Sequence, residues 1–201
     1  MLFYQNSKLV VDLPQFGHPI SVEFKKIHSL KNILIAKAIG IKPSKRQKLF
    51  VLDISAGFGQ DAYVFYQLGC QVECIERSEI IGKLLEDGLK RYHINIPLTI
   101  ADAQHYLKKI IQNGNLPDVI YFDPIFPEKK KTALAQKNAR VLKYIAGDDK
   151  DSEAVFLLAL KAAKNRVVIK RALHSPLISE SVKPDIVYKG KVIRFDIYLH
   201  K

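Results

Sequence analysis

Between residues 50 and 170 the chain alternates short apolar runs with amphipathic stretches, and that rhythm leaves few folds open to it. Residues 50–54, 71–75, 97–101, 119–122 and 166–170 read as strands; residues 61–68, 79–92, 104–112 and 153–163 read as helices. In the last helix Ala154, Leu157, Leu158 and Ala162 recur at helical spacing. Strand–helix–strand units of this kind call for a parallel sheet with helices on both faces. The tail differs: residues 186–188, a Lys189-Gly190 turn and residues 192–198 predict a hairpin that ends the sheet with an antiparallel strand. The expected fold is α/β, a doubly wound Rossmann-like sheet that is mostly parallel.

Ahead of the alternation, residues 9–13 and 20–24 partly alternate and are separated by a turn running from Pro14 to Pro19, which predicts an N-terminal hairpin. A helix over 31–38 follows, ending at Gly40. The expected division is a hairpin extension over 1–30 and the sheet domain over 31–201. Residues 128–151 read as irregular, too long for an ordinary connection and therefore functional or mobile.

A chain of 201 residues can bury a core without staples. No apolar run approaches the roughly 20 residues needed to span a bilayer, and no leader pattern opens the sequence, so a cytoplasmic protein without membrane contact is expected. Cys70 and Cys74 are too few for a disulfide framework or a closed zinc site, and the six histidines have no ligand spacing, so no metal is expected. The unusual number is the charge: 32 Lys+Arg against 20 Asp+Glu gives +12. Such a surplus favours an anionic partner.

The first strand runs into Asp53-Ile54-Ser55-Ala56-Gly57-Phe58-Gly59-Gln60-Asp61. Gly57 and Gly59 let the backbone turn tightly and approach a ligand. Glu76 ends the second strand about 20 residues on, where a carboxylate can hold a ribose diol. A dinucleotide loop would have a third glycine and a helix start free of acid, since that start receives the pyrophosphate. Asp61 stands there instead, and S-adenosylmethionine, which has an ammonium and no phosphate, fits Asp53 and Asp61 better. Asp102, at the third strand end, either meets the cofactor's adenine amine or caps the helix after it.

After the apolar residues 119–122 comes Asp123-Pro124-Ile125-Phe126-Pro127. An exocyclic base amine is a poor nucleophile because its lone pair is delocalised into the ring. Acceptors on its N–H groups, here Asp123 and the Pro124 carbonyl, pull the nitrogen toward tetrahedral geometry, while Phe126 offers a stacking face worth ~1–3 kcal/mol. Most of the rate would come from positioning the reactants at ~3–3.5 Å. The two motifs together point to methyl transfer onto a base amine; adenine N6 is as acceptable to the motif as any other amine. Rival readings are an RNA-binding or assembly factor on a vestigial cofactor fold and, third, a nicotinamide oxidoreductase.

The run from Asp123 through Lys129-Lys130-Lys131 to Arg140-Val141 and Gly147-Asp148 resembles the ribosomal RNA small subunit methyltransferase J family. So do residues 56–62, Gly69-Cys70, Glu76-Arg77, residues 84–89, 167–171 and 194–198. The resemblance implies a class I methyltransferase that uses S-adenosylmethionine on the N2 amine of a guanosine near the 3′ end of 16S rRNA. The expected partner is small-subunit rRNA, naked or as a 30S particle, and a monomer is the expected state of the protein. It places cofactor contacts on Gln60-Asp61, Glu76-Arg77, Asp102-Ala103 and Asp123. The family pattern has Arg where Gln60 stands and two serines where Asp102-Ala103 stand.

Lys129, Lys130, Lys131, Lys137, Arg140 and Lys143 follow the Asp123 turn against the single acid Glu128 over 128–143, and Lys170 and Arg171 end the fifth strand. These eight are the expected RNA contacts. If about six touch phosphates, affinity for small-subunit RNA falls by several powers of ten over a few-fold rise in salt, a slope that filter binding across a salt series measures directly.

Overall fold

Alternation along each buried strand sorts its side chains between two cores, and this sorting positions the site. In the computed structural model, which describes residues 1–26, 33–41, 48–125, 137–147 and 149–200 (137–139 as backbone only), one sheet holds seven strands. Along the chain come β1 (Leu2–Gln5), β2 (Lys8–Val11), α1 (Leu34–Ile39), β3 (Phe50–Asp53), α2 (Gln60–Gln67), β4 (Gln71–Glu76), α3 (Glu79–Arg91) and β5 (Leu98–Ile100). They are followed by α4 (Ala103–Asn113), β6 (Val119–Phe122), α5 (Lys137–Ala146), α6 (Ser152–Ala162), β7 (Arg166–Ala172), β8 (Ile186–Lys189) and β9 (Ile193–Leu199). The sheet order is β5-β4-β3-β6-β7-β9-β8. The first five strands are parallel, and β9 is antiparallel to both of its neighbours. The sequence-based α/β architecture and its C-terminal hairpin are thus present.

Val51, Val119, Tyr121 and Val168 join the core with α1, α2 and α3. Leu52, Ile120, Phe122, Val167 and Ile169 join the core under α4 and α6. Period-two side-chain alternation accounts for the split. Both cysteines are buried in the first core.

An N-terminal hairpin exists, but its strands are β1 and β2 rather than 9–13 and 20–24. Asn6 and Ser7 both take positive φ (50° and 61°), the conformation a tight two-residue hairpin turn requires. Ile20 pairs with Val11 only as an isolated bridge. The Pro14 to Pro19 segment is a short 3-10 turn over Pro14–Phe16 followed by bends, because proline pre-sets the backbone for a turn. The second correction is α5: residues 128–151, read as irregular, contain a ten-residue helix. Of the helix expected over 31–38, the described part begins at Leu34 and is closed by Gly40 at φ 85°.

The N-terminal segment is fastened to α3. The Leu9 N–H donates to Asp87 (3.2 Å), and Arg91 donates to the Val22 carbonyl (2.6 Å) and to Asp87 (2.7 Å). Gly88 allows the approach: a Cβ there would lie 2.6 Å from Val22 Cγ1. Glu23 closes the joint, accepting from Lys8 (2.7 Å), Ser21 (2.9 Å) and the Tyr92 hydroxyl. Partial burial works against its charge, yet these hydrogen bonds pull its carboxyl down to about 2. A depressed carboxyl stabilises the fold above its ordinary pKa and loses that contribution as pH falls toward the depressed one. Thermal melting of Glu23→Gln should therefore lie below wild type at pH 6, with the gap closing between about pH 4.5 and 2.

Candidate active site

Strand order reverses at β3, which has β4 on one side and β6 on the other. In open α/β sheets ligands bind beyond the carboxyl ends at such a point. A cleft of about 490 Å³ opens there, walled by Asp53, Gly57, Gln60, Asp61, Glu76, Arg77, Asp102, Ala103, Asp123, Pro124, Arg140, Lys143, Lys170 and Arg171 among others. The acids expected from five separate strand or helix ends thus meet in one cavity, of a size ordinary for a small-molecule site.

The floor is a loop held by carboxylates. Glu76 is 6% exposed and accepts from the Gly57 N–H (2.8 Å) and the Ser78 N–H (2.8 Å), tying the glycine loop to the start of α3. Burial pushes its carboxyl above the usual range while those two N–H groups pull it back. Each carboxylate oxygen accepts more than one hydrogen bond, so Glu76 still has acceptor capacity toward a ligand. Gly59 has φ 72°, and a Cβ on it would meet Leu85 Cδ1 at 2.5 Å, so glycine is required on two counts. Asp53 is 2% exposed; burial drives its carboxyl well up, against the Ser55 N–H it accepts (3.1 Å). Asp102 caps α4, accepting from the His105 N–H (3.1 Å), and also faces the cleft, so both of its sequence readings have a place. Gln60 is anchored away from the cleft floor, its amide donating to the Glu23 carbonyl (3.0 Å).

On the other wall, the Asp123 N–H donates to Ser55 Oγ (2.7 Å), which fixes the turn leaving β6 against the glycine loop. The Ile125 N–H donates to Asp149 (2.6 Å), and Arg77 pairs with Asp149 (2.5 Å) and Asp151 (3.4 Å). Arg77 therefore supports the Asp123 turn through Asp149. Sequence reading missed Asp149, Ser55 and Tyr121. The available signal for Asp149 was its place just beyond a glycine in a long connection.

The basic residues divide. Arg140 and Lys143, on α5, line the cleft, and the Arg140 guanidinium lies 5.6 Å from the centre of the Phe16 ring. Tyr144 is 61% exposed and meets the same ring edge-on at 5.7 Å. Lys170 and Arg171 turn inward instead. Lys170 is bound to Asp61 (2.7 Å) and Asp123 (3.0 Å), and Arg171 is 2% exposed and donates to the Pro176 carbonyl, so neither presents its charge to a polyanion outside. Asp61, expected at the cofactor's ammonium, accepts from Lys170 and from the Tyr121 hydroxyl (2.6 Å). Phe126, Lys129, Lys130 and Lys131 lie outside the described residues, and Lys137 is described as backbone at the start of α5. Among the described residues no group of three His, Cys, Asp or Glu side chains is set to hold a metal ion, and no helix is long and apolar enough to cross a membrane.

Residues 5–200 match the family described as "Putative SAM-dependent methyltransferase". Ribosomal RNA small subunit methyltransferase J of Coxiella burnetii is 44% identical over 176 residues, covering 84% of this chain and 66% of that protein, so the chain spans just under two thirds of that relative's length. The protein of the same name from Pseudoalteromonas atlantica is 38% identical over 208 residues, covering 94% of this chain and 80% of its own. The crystal structure of a SAM-dependent methyltransferase from Neisseria gonorrhoeae superposes with a TM-score of 0.74 at 25% identity, covering 99% of this chain and 82% of that one.

Replacing Glu76 by Ala removes the acceptor from two half-buried N–H groups, those of Gly57 and Ser78. Chemical denaturation of that variant should show a loss of about 1–3 kcal/mol for an unpaired group.

Proposed function

The chain belongs to the ribosomal RNA small subunit methyltransferase J family of S-adenosylmethionine-dependent methyltransferases, and from that premise we propose that it methylates the N2 amine of a guanosine near the 3′ end of 16S rRNA. The observation that carries this reading is the shared cleft: Asp123 stands on one wall, with Glu76, Asp53 and the glycine loop on the other. Glu76 takes the ribose diol of the cofactor and Asp102 its adenine amine, while Gly57 and Gly59 let the backbone lie against it. Gln60, Arg77 and Ala103 border the same volume.

Asp123 and the Pro124 carbonyl accept the N–H groups of the target amine and direct its lone pair at the sulfonium methyl. The nitrogen–carbon bond forms as the carbon–sulfur bond breaks, sulfur keeps the electron pair, and a proton leaves the nitrogen to Asp123 or water. Holding both reactants in line supplies most of the acceleration. Arg140 and Lys143, which line the cleft from α5, take RNA phosphates; Lys129 to Lys131 extend this role from sequence alone, and Phe126 stacks on the target base. The N-terminal segment stands as an extension over 1–30 beside a methyltransferase domain over 31–201, and a monomer in the cytoplasm suits the reaction.

The test is transfer of a labelled methyl group from S-adenosylmethionine to 30S subunits lacking the modification, with the product nucleoside mapped by mass spectrometry. A single N2-methylguanosine near the 3′ end is expected. N6-methyladenosine would replace the base assignment, and cofactor binding without transfer to particles or naked rRNA would favour an assembly role. Asp123→Ala should lower transfer by at least about 10²-fold with its melting curve and cofactor binding retained; undiminished transfer would sink the mechanism.

A further inference from the structure

Lys170 lies 109 positions beyond Asp61 and 47 beyond Asp123, yet its ammonium touches both carboxylates, at 2.7 and 3.0 Å. Its side chain is 24% exposed and looks into the cleft. Among the described residues the acids that act on it are Asp61 at the start of α2, Asp123 just after β6 and Asp53 at the end of β3, while the Tyr121 hydroxyl on β6 donates to the same Asp61 oxygen that Lys170 holds. Asp149 and Arg171 act on Asp123 from further out. A strand-end lysine in a protein of charge +12 reads most simply as one more contact for a polyanion. The geometry speaks for another use.

We infer that Lys170 is a positioning residue for methyl transfer: its ammonium clamps Asp123 and Asp61 in one anionic arrangement that faces the cofactor's positive charge. The inference rests on the function proposed above. Two carboxylates and one ammonium leave the cluster with a net charge of −1 where a sulfonium is to be bound. The same arrangement spends one oxygen of Asp123 on Lys170, leaving its partner oxygen for the target amine. Without the ammonium, two acids would face each other in a half-dry cleft, and like charges so placed cannot both stay ionised. Burial alone already raises the Asp123 carboxyl, with Lys170 pulling against it; burial disfavours the ammonium, but the two acids more than offset that and raise it above the lysine range. Lys170 therefore stays charged throughout the neutral range, and its ammonium works against the burial that favours a neutral Asp123.

The decisive comparison is wild type against Lys170→Met and Lys170→Arg, with kcat and KM for 30S transfer across pH, RNA binding across salt, and S-adenosylmethionine binding by calorimetry across pH. Lys170→Met should lower kcat at neutral pH by about 10²-fold, the cost typical of a misplaced reacting group. KM for the particle and the salt slope should be unchanged, and the acid limb of the rate should move to higher pH. Lys170→Arg keeps the charge and should restore part of kcat with a near wild-type limb. Wild-type kcat in Lys170→Met, or a salt slope lower by about one with kcat intact, would overturn the inference in favour of a phosphate contact. Should the methionine variant not fold, the arginine variant carries the question, because a displaced ammonium predicts lower kcat at an unaltered salt slope. If wild type transfers no methyl group to any RNA, the proposed function fails, and cofactor binding still decides about Lys170. An acid limb of binding shifted upward in Lys170→Met supports the clamp, and superimposable binding profiles overturn it.

Discussion

An ammonium from β7 lies between a carboxylate that opens α2 and another that follows β6, and the cleft takes its shape and charge from that cluster. Its assembly follows from strand periodicity. Val168 points into the first core, so Lys170, two residues on, rises from the same face. Tyr121 shares that face and sends its hydroxyl to Asp61. Parallel pairing of β6 with β7 aligns Phe122 with Ile169, which sets Asp123 beside Lys170 at the sheet's edge. The register alone brings these strand-end residues to one place. The cluster's net negative charge is also what separates this cleft from a dinucleotide site, whose loop must welcome a phosphate.

Carboxylates serve the backbone as well as the cavity. Glu76 joins the glycine loop to the first turn of α3, and Asp149 joins Arg77 to the turn after Asp123. Each wall is thus fixed by an acid that receives backbone N–H groups, and a carboxylate's spare lone pairs remain for a ligand. Arg194 performs a parallel task at the far edge. It pairs twice with the fully buried Asp196 (2.8 and 3.0 Å) and donates to the Ser175 carbonyl (2.7 Å), holding the loop after β7 that borders the cleft. A cleft built on such tethers keeps its form before any ligand arrives, which is the condition for catalysis by positioning.

Much of this was legible from residue order because the governing rules are local. Residues 119–122 form a fully buried strand as expected, and the acids that follow strands had to meet at one edge once the sheet was parallel. What escaped was of two kinds. Helix α5 carries Val141, Leu142 and Ile145 on a face toward the first core, but its approach is a lysine run without an evident cap, so charge masked the periodicity. The N-terminal turn falls on Asn6-Ser7, a pair without the glycine that usually marks such turns, while the prolines downstream drew attention to the wrong bend. The second kind is pairing at long range. That Lys170 belongs to Asp61 and Asp123 depends on the β6–β7 register, which no local pattern in the chain contains.

Both signs of charge share the cleft: acids and one internal lysine line it together with the guanidinium of Arg140 and the amine of Lys143, both carried on α5. Arg140 leans on Phe16, so the N-terminal segment, itself strapped to α3 through Glu23 and Arg91, buttresses α5. An excess of twelve positive charges raises the local concentration of a polyanion around the molecule, whereas the acidic floor repels its phosphates. The same acids favour a cationic small molecule in the cleft, held beside the one internal ammonium that balances them.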